Sequence, residues 1–159
     1  VTPGAATVRT ALFPRDAAVV SALVGAYLRQ TESEKAEHGL TAADAPLPGR
    51  YAREIADPAA AFHGRRVLLA AVDEEDCGIV VVSTSPDATE VSRLWTTPTA
   101  RGKGVGAALI AAAVEGTVSP VRLSVWEWRE DALRLYRRLG FAPVPSWDDR
   151  EGLVCLERR

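Results

Sequence analysis

The sequence predicts an α/β fold in which helices flank one mixed sheet. Three patterns carry that prediction. An amphipathic helical stretch lies near the start, a block of apolar, β-branched runs fills residues 66–97, and a helix–strand–helix series follows residue 101. The order strand, helices, several strands, helix, strand, helix, strands fits neither an all-helical bundle nor a β-sandwich.

Thr7-Val8-Arg9-Thr10 alternates and reads as a first strand. Pro14 and Asp16 open a helix, because proline is tolerated in the first turn and an acidic residue suits the positive end of the dipole. Val20, Leu23, Val24, Tyr27 and Leu28 then recur at helical spacing and form one apolar face. The polar stretch Thr31 to His38 either continues this helix or bends away. Residues 39–50, with Gly39, Pro46, Pro48 and Gly49, are expected to form a loop. Tyr51 to Ile55 reads as one or two helical turns stopped by Pro58.

Arg66 to Val72 and Gly78 to Ser83 read as a hairpin with a turn at Asp73-Glu74-Glu75-Asp76. Ser85-Pro86-Asp87 makes the next turn, and Glu90 to Thr97 is a strand ending at Pro98. A helix runs from the glycines after Arg101 to about Glu115, with Val105, Ala108, Leu109 and Ala112 on one face. After Pro120, Val121 to Val125 is a strand. Glu130 to Leu139 is a helix with Ala132, Leu135, Tyr136 and Leu139 on one face, closed by Gly140. Phe141 to Val144 and Gly152 to Glu157 read as two closing strands.

The chain has 159 residues, enough for one domain with its own core. Apolar residues make up 47%, charged residues 25%, and the net charge is -2. That balance gives no nucleic-acid footprint. Cys77 and Cys155 lie far apart and in no zinc-like spacing, so they read as small buried hydrophobes in a reducing cytoplasm, with no metal site. No apolar run is long enough for a membrane span. The opening Val1-Thr2-Pro3-Gly4 lacks signal-peptide features and reads as a frayed lead.

The chemistry-bearing segment is Arg101-Gly102-Lys103-Gly104-Val105-Gly106. Glycines at 102, 104 and 106 let main-chain N–H groups turn inward without Cβ obstruction. The helix that follows adds unpaired N–H groups and about half a positive charge at its start. Together they make an anion site suited to phosphate, with Arg101 and Lys103 at its mouth. No Ser or Thr follows Lys103 as a P-loop requires, and the dinucleotide fingerprint GxGxxG is absent, which disfavours a nucleotide-phosphate binder.

Leu94 to Ile110, with its Pro98 and Arg101-Gly102-Lys103-Gly104-Val105-Gly106, resembles motif A of the GCN5-related N-acetyltransferases (GNAT). Leu123-Ser124-Val125 and Ala132 to Phe141 resemble motif B, which ends A-x-x-L-Y-x-x-x-G-F. The specific match covers residues 90–144. The resemblance implies the acyl-CoA N-acyltransferase fold: a mixed, mostly antiparallel central sheet, splayed between two parallel strands and flanked by helices. Acetyl-CoA, as co-substrate, would lie where strands 90–97 and 121–126 part. Its pantetheine arm would pair with Leu94, Trp95 and Thr96, and its diphosphate would sit on the amides of Arg101, Gly102, Lys103, Gly104, Val105, Gly106 and Ala107. Ala132 and Tyr136 of motif B would also face the cofactor. The family often has Asn where this chain has Arg129. Arginine cannot accept a hydrogen bond, but it can reach a carbonyl or phosphate of CoA.

Direct attack of a neutral amine on a thioester needs a polarised carbonyl and a proton for the departing thiolate. No covalent intermediate is needed, so neither cysteine has to act. Tyr136 resembles the family tyrosine that protonates sulfur; the alternative is a core aromatic. Glu90 stands where family members sometimes carry a base acting through water, or it is a solvated strand-end carboxylate. Glu127 reads as a surface residue, and His38 and His63 as non-catalytic. Trp126 and Trp128 share a face if the strand runs that far, and with Trp95 they either wall the acceptor pocket or simply pack.

The segment Tyr27 to Tyr51 corresponds to the cover of the acceptor site in the family. Its Glu32, Glu34 and Glu37 either attract a cationic amine or form a solvated helix face. The resemblance implies an enzyme acetylating a primary amine on a small molecule or protein; homodimers are common among its members. The competing reading is an acyl-CoA-binding regulatory module without significant turnover.

Overall fold

The computed structural model describes residues 4–117 and 120–159; the lead Val1 to Pro3 lies outside them. In chain order the elements are β1 (Thr7–Thr10), α1 (Ala17–Glu37), α2 (Gly49–Ala56), α3 (Pro58–Ala61), β2 (Arg66–Val72), β3 (Glu75–Thr84), β4 (Thr89–Thr96), α4 (Val105–Val114), β5 (Val121–Trp126), α5 (Glu130–Arg138), β6 (Ala142–Pro143) and β7 (Leu153–Arg158). The sheet order is β1-β2-β3-β4-β5-β7-β6. Every neighbouring pair is antiparallel except β4 and β5.

Both faces of the sheet are covered, which explains the unbroken apolar runs of β2 and β3. Leu68, Ala70, Val80 and Val82 point to a core shared with Val105, Leu109 and Ile110 of α4 and Tyr136 of α5. Val67, Leu69, Ile79 and Val81 point to a second core with Val20, Leu23, Val24 and Leu28 of α1. β3 and α4 meet at Gly78, where a Cβ would lie 2.7 Å from Val105 Cγ1.

Two local expectations are corrected, one is extended and one left open is decided. The hairpin turn is only Asp73-Glu74, both with positive φ, so β3 starts at Glu75 rather than Gly78. α2 does end before Pro58, at Ala56, and Pro58 then begins a further short helix, α3, where Asp57 accepts from Ala60 N–H at 3.3 Å. Gly49 and Arg50 belong to α2, not to the loop before it. α1 runs unbroken to Glu37, and its long polar end is tied to the turn after β5.

β4 carries a bulge. Ile79 pairs with Trp95, but Val81 pairs with Ser92, so Arg93 and Leu94 oppose a single residue. Arg93 has φ 59°, a conformation that costs a non-glycine residue about 1–3 kcal/mol. Consequently Val91 and Trp95, which share one face of a regular strand, lie in opposite cores.

Candidate functional site

The two parallel strands pair at only two positions, Thr89 with Val121 and Glu90 with Arg122. Beyond them β4 stays with β3 and β5 stays with β7, so the strands diverge toward their C-terminal ends. Two cavities open along this seam. One, of about 300 Å³, lies between Glu90–Leu94 and Leu123–Trp126 under Tyr27, Leu28 and Thr31 of α1. The other, of about 760 Å³, runs over Leu94–Thr96 and the glycine turn to α5. Leu94, Arg129 and Ala132 line both and mark their junction.

The larger cavity gathers Leu94, Trp95, Thr96, Arg101, Gly102, Gly104, Val105, Gly106, Ala107, Arg129 and Ala132. Lys103 does not line it, nor does Tyr136, which faces the smaller one. Gly102 and Gly104 both have φ 79°, so glycine is required there for conformation. A Cβ on either would meet nothing within 4 Å, which leaves open space above the turn. The first helical bond runs from Ala108 N–H to Gly104 O at 3.0 Å, so the N–H groups of Val105, Gly106 and Ala107 precede it and are free to meet an anion. Gly106 serves packing instead, with Leu135 Cδ2 at 3.1 Å from its would-be Cβ. Arg101 folds back, donating from Nε to Thr96 O at 3.1 Å with its guanidinium 4.7 Å from the Trp95 ring centre.

Tyr136 is buried, with its ring edge-on to Phe141 at 5.8 Å. Its hydroxyl has no hydrogen-bond partner among the described residues, and burial pushes its pKa above the ordinary tyrosine range. It is therefore a neutral phenol with a proton to offer. Glu90 is exposed and, among the described residues, is the one carboxylate lining the smaller cavity. Glu127 and His63 line neither cavity. Cys77 and Cys155 are buried free thiols, and burial raises the Cys77 pKa further from reactivity.

Arg129 is held by two side chains of α1. Its Nε donates to Glu34 Oε1 at 2.8 Å and its Nη2 to Thr31 Oγ1 at 2.7 Å. Trp128 Nε1 donates to the same Glu34 oxygen at 2.7 Å. Burial works to raise the Glu34 pKa, but the bonds from Arg129, Trp128 and Gln30 outweigh it and hold it below the usual value. β5 ends at Trp126, yet Trp126 and Trp128 still stack at 5.0 Å, and His38 stacks on Trp128 at 4.0 Å. His38 thus closes α1 onto this turn.

The acidic segment does not give an acidic pocket. Glu34 is bound to Arg129, and Glu32 to Lys35 at 3.0 Å. The smaller cavity is instead lined by Lys35, Arg50, Arg65, Arg93, Arg129 and Arg150. Sequence reading singled out only Arg129 among these. The available signal was Arg93 itself, a charge inside an apolar strand, followed by two adjacent large apolar residues that break the alternation.

The acetyltransferase (GNAT) domain family matches residues 63–143. Among solved structures the chain is similar to PaiA N-acetyltransferase from Thermoplasma acidophilum in complex with coenzyme A, at 16% identity over 98% of this chain and 99% of that one, TM-score 0.70. It is similar to a GNAT-family acetyltransferase from Bacillus cereus, at 14% identity over 98% of each chain, TM-score 0.67. It is also similar to the GNAT domain of PAT from S. lividans, at 23% identity over 96% of this chain and 89% of that one, TM-score 0.62. At such identities the likeness is one of fold. No curated protein matches the chain.

Proposed function

Because the chain belongs to the GNAT acetyltransferase family, we propose that residues 1–159 act as one domain moving an acetyl group from acetyl-CoA to a primary amine by direct attack. The observation that carries this reading is the seam that opens beyond Glu90 and Arg122 and leads to the glycine turn. At Leu94, Trp95 and Thr96 the edge of β4 turned away from β3 has no pairing with β5, which suits the amides of the pantetheine arm. The N–H groups from Arg101 to Ala107 suit the diphosphate. Ala132 keeps the channel open at the junction. Arg129 walls it there, and its guanidinium stays with Glu34 and Thr31.

Acetyl-CoA supplies the thioester. In the smaller cavity the amine nitrogen forms a bond to the acetyl carbon as the carbon–sulfur bond breaks. Tyr136 gives the departing sulfur a proton, for which its neutral form is required. Glu90 takes the proton lost by nitrogen, through water. Two buried free cysteines support a reducing, cytoplasmic setting.

The test follows thiol release from acetyl-CoA with a panel of amines, together with mass detection of the N-acetylated product. Equal amounts of free CoA and acetylated amine are expected. Tight acetyl-CoA binding without thiol release for any amine would overturn transfer and leave the regulatory module.

A further inference from the structure

We propose that the acceptor amine also carries an anion, a carboxylate or phosphonate, which Arg50 and Arg65 bind at the mouth of the smaller cavity. The inference rests on the acetyl-transfer reading and adds the class of acceptor to it. The chain as a whole has net charge -2. Yet among the described residues six basic side chains and one carboxylate line this cavity. A local field opposite in sign to the whole molecule needs its own explanation.

Four of the six bases are committed. Lys35 pairs with Glu32 at 3.0 Å, Arg93 with Glu54 at 2.8 Å, Arg129 with Glu34 at 2.8 Å and Arg150 with Asp148 at 2.8 Å. Arg50 and Arg65 have no ion-pair partner among the described residues. Asp148, whose carboxylate feels the charge of Arg50, is gripped by both Nε and Nη2 of Arg150. Arg50 is braced on Tyr51, its Nη2 2.6 Å from the hydroxyl and its guanidinium 4.6 Å from the ring centre. Both are exposed at the rim, where a planar fork is suited to bidentate recognition of a carboxylate or phosphonate.

These cations cannot serve the diphosphate of the cofactor. The glycine turn lines only the larger cavity, on the far side of Leu94, Arg129 and Ala132. A positive field around the acceptor also favours the neutral amine, which is the nucleophile, over the ammonium form. The same field disfavours polyamines, which bring only positive charge.

The experiment measures kcat/KM for amines in matched pairs: L-methionine against 3-(methylthio)propylamine, and 2-aminoethylphosphonate against propylamine, with spermidine as the cationic comparator. In the wild type one anionic amine is expected to exceed its partner by about tenfold or more, the effect of a charge-assisted hydrogen bond. Which pair responds separates carboxylate from phosphonate. In Arg50→Gln/Arg65→Gln the preference is expected to collapse through a raised KM, with acetyl-CoA affinity and melting temperature held. Preference for spermidine or for the anion-free amines, with transfer intact, overturns this inference alone. So does a preference that survives the double substitution. Failure of the wild type to bind acetyl-CoA overturns the transfer reading and this inference with it.

Discussion

Arg93 clasps Glu54 through two parallel hydrogen bonds, Nε to Oε1 and Nη2 to Oε2, each 2.8 Å. The pair ties α2 to the bulge of β4, the point where the strand turns its side chains over. Burial works against the charge on Arg93, but the bonds to Glu54 prevail and raise its pKa. The clasp thus offsets the strain of a positive φ at a branch point of the site.

Glu54→Gln leaves a largely buried cation without its counter-charge. It is expected to destabilise the fold by about 2–3 kcal/mol, less than a fully buried pair because Arg93 retains some solvent. Urea unfolding measures it. Arg93→Gly in the same background relieves the backbone strain, so the double variant should be more stable than the sum of the two single losses. Strict additivity would separate the bulge from the clasp.

Gly104→Val imposes a β-branched side chain at φ 79°, at a cost of about 1–2 kcal/mol. Nothing lies within 4 Å of the added Cβ, so the loss comes from strain and from obstruction of the space above the turn rather than from a clash. Calorimetry with CoA should show affinity reduced by tenfold or more, about 1.4 kcal/mol. Unchanged affinity would remove the diphosphate from this turn.

Tyr136→Phe should lower kcat by about a hundredfold, as loss of a positioned acid does, with CoA affinity nearly unchanged. The raised pKa sets the sign of the pH response. Unfolded tyrosine ionises at its ordinary value of 10.0, while the buried one stays protonated. Its contribution to stability is therefore complete below that value and declines above it. Wild-type melting temperature should fall in this alkaline range more steeply than that of Tyr136→Phe.

Asp16 joins β1 to the start of α1, accepting from Arg9 at 2.8 Å and from Leu12 N–H at 2.7 Å. The Arg9 bond and then the Leu12 amide hold its pKa at about 2, below the ordinary 3.8. A depressed carboxylate stabilises the fold above its unfolded value. That stabilisation is lost as pH falls from about 3.8 through about 2. Asp16→Asn should flatten the acid side of the melting curve, by differential scanning calorimetry, and reduce stability at neutral pH.

Much of this was legible because it depends on local chemistry. Val20, Leu23, Val24 and Leu28 show their helix by spacing, and Gly102 and Gly104 show their turn because only glycine adopts that backbone cheaply. The apolar runs of β2 and β3 reveal a sheet buried on both sides. What stayed hidden depends on contacts between distant segments. Arg93 and Glu54 are 39 residues apart, and Arg129 and Glu34 are 95 apart. Nothing in the neighbourhood of Glu34 distinguishes a salt bridge from a solvated face. The charge of the smaller cavity stayed hidden for the same reason: the acids sit together in sequence, while the bases that surround the cavity come from six separate places in the chain.

The parting of β4 from β5 also fixes where deuterium enters. Amide hydrogens that face a neighbouring strand exchange slowly, whereas those along an unzipped margin meet solvent directly. On the reading above, the segment from Ser92 to Thr96 should hold fast and slow amides side by side, the slow ones turned to β3. Loading with the coenzyme should slow the fast set alone, turning a missing ladder into a gauge of occupancy.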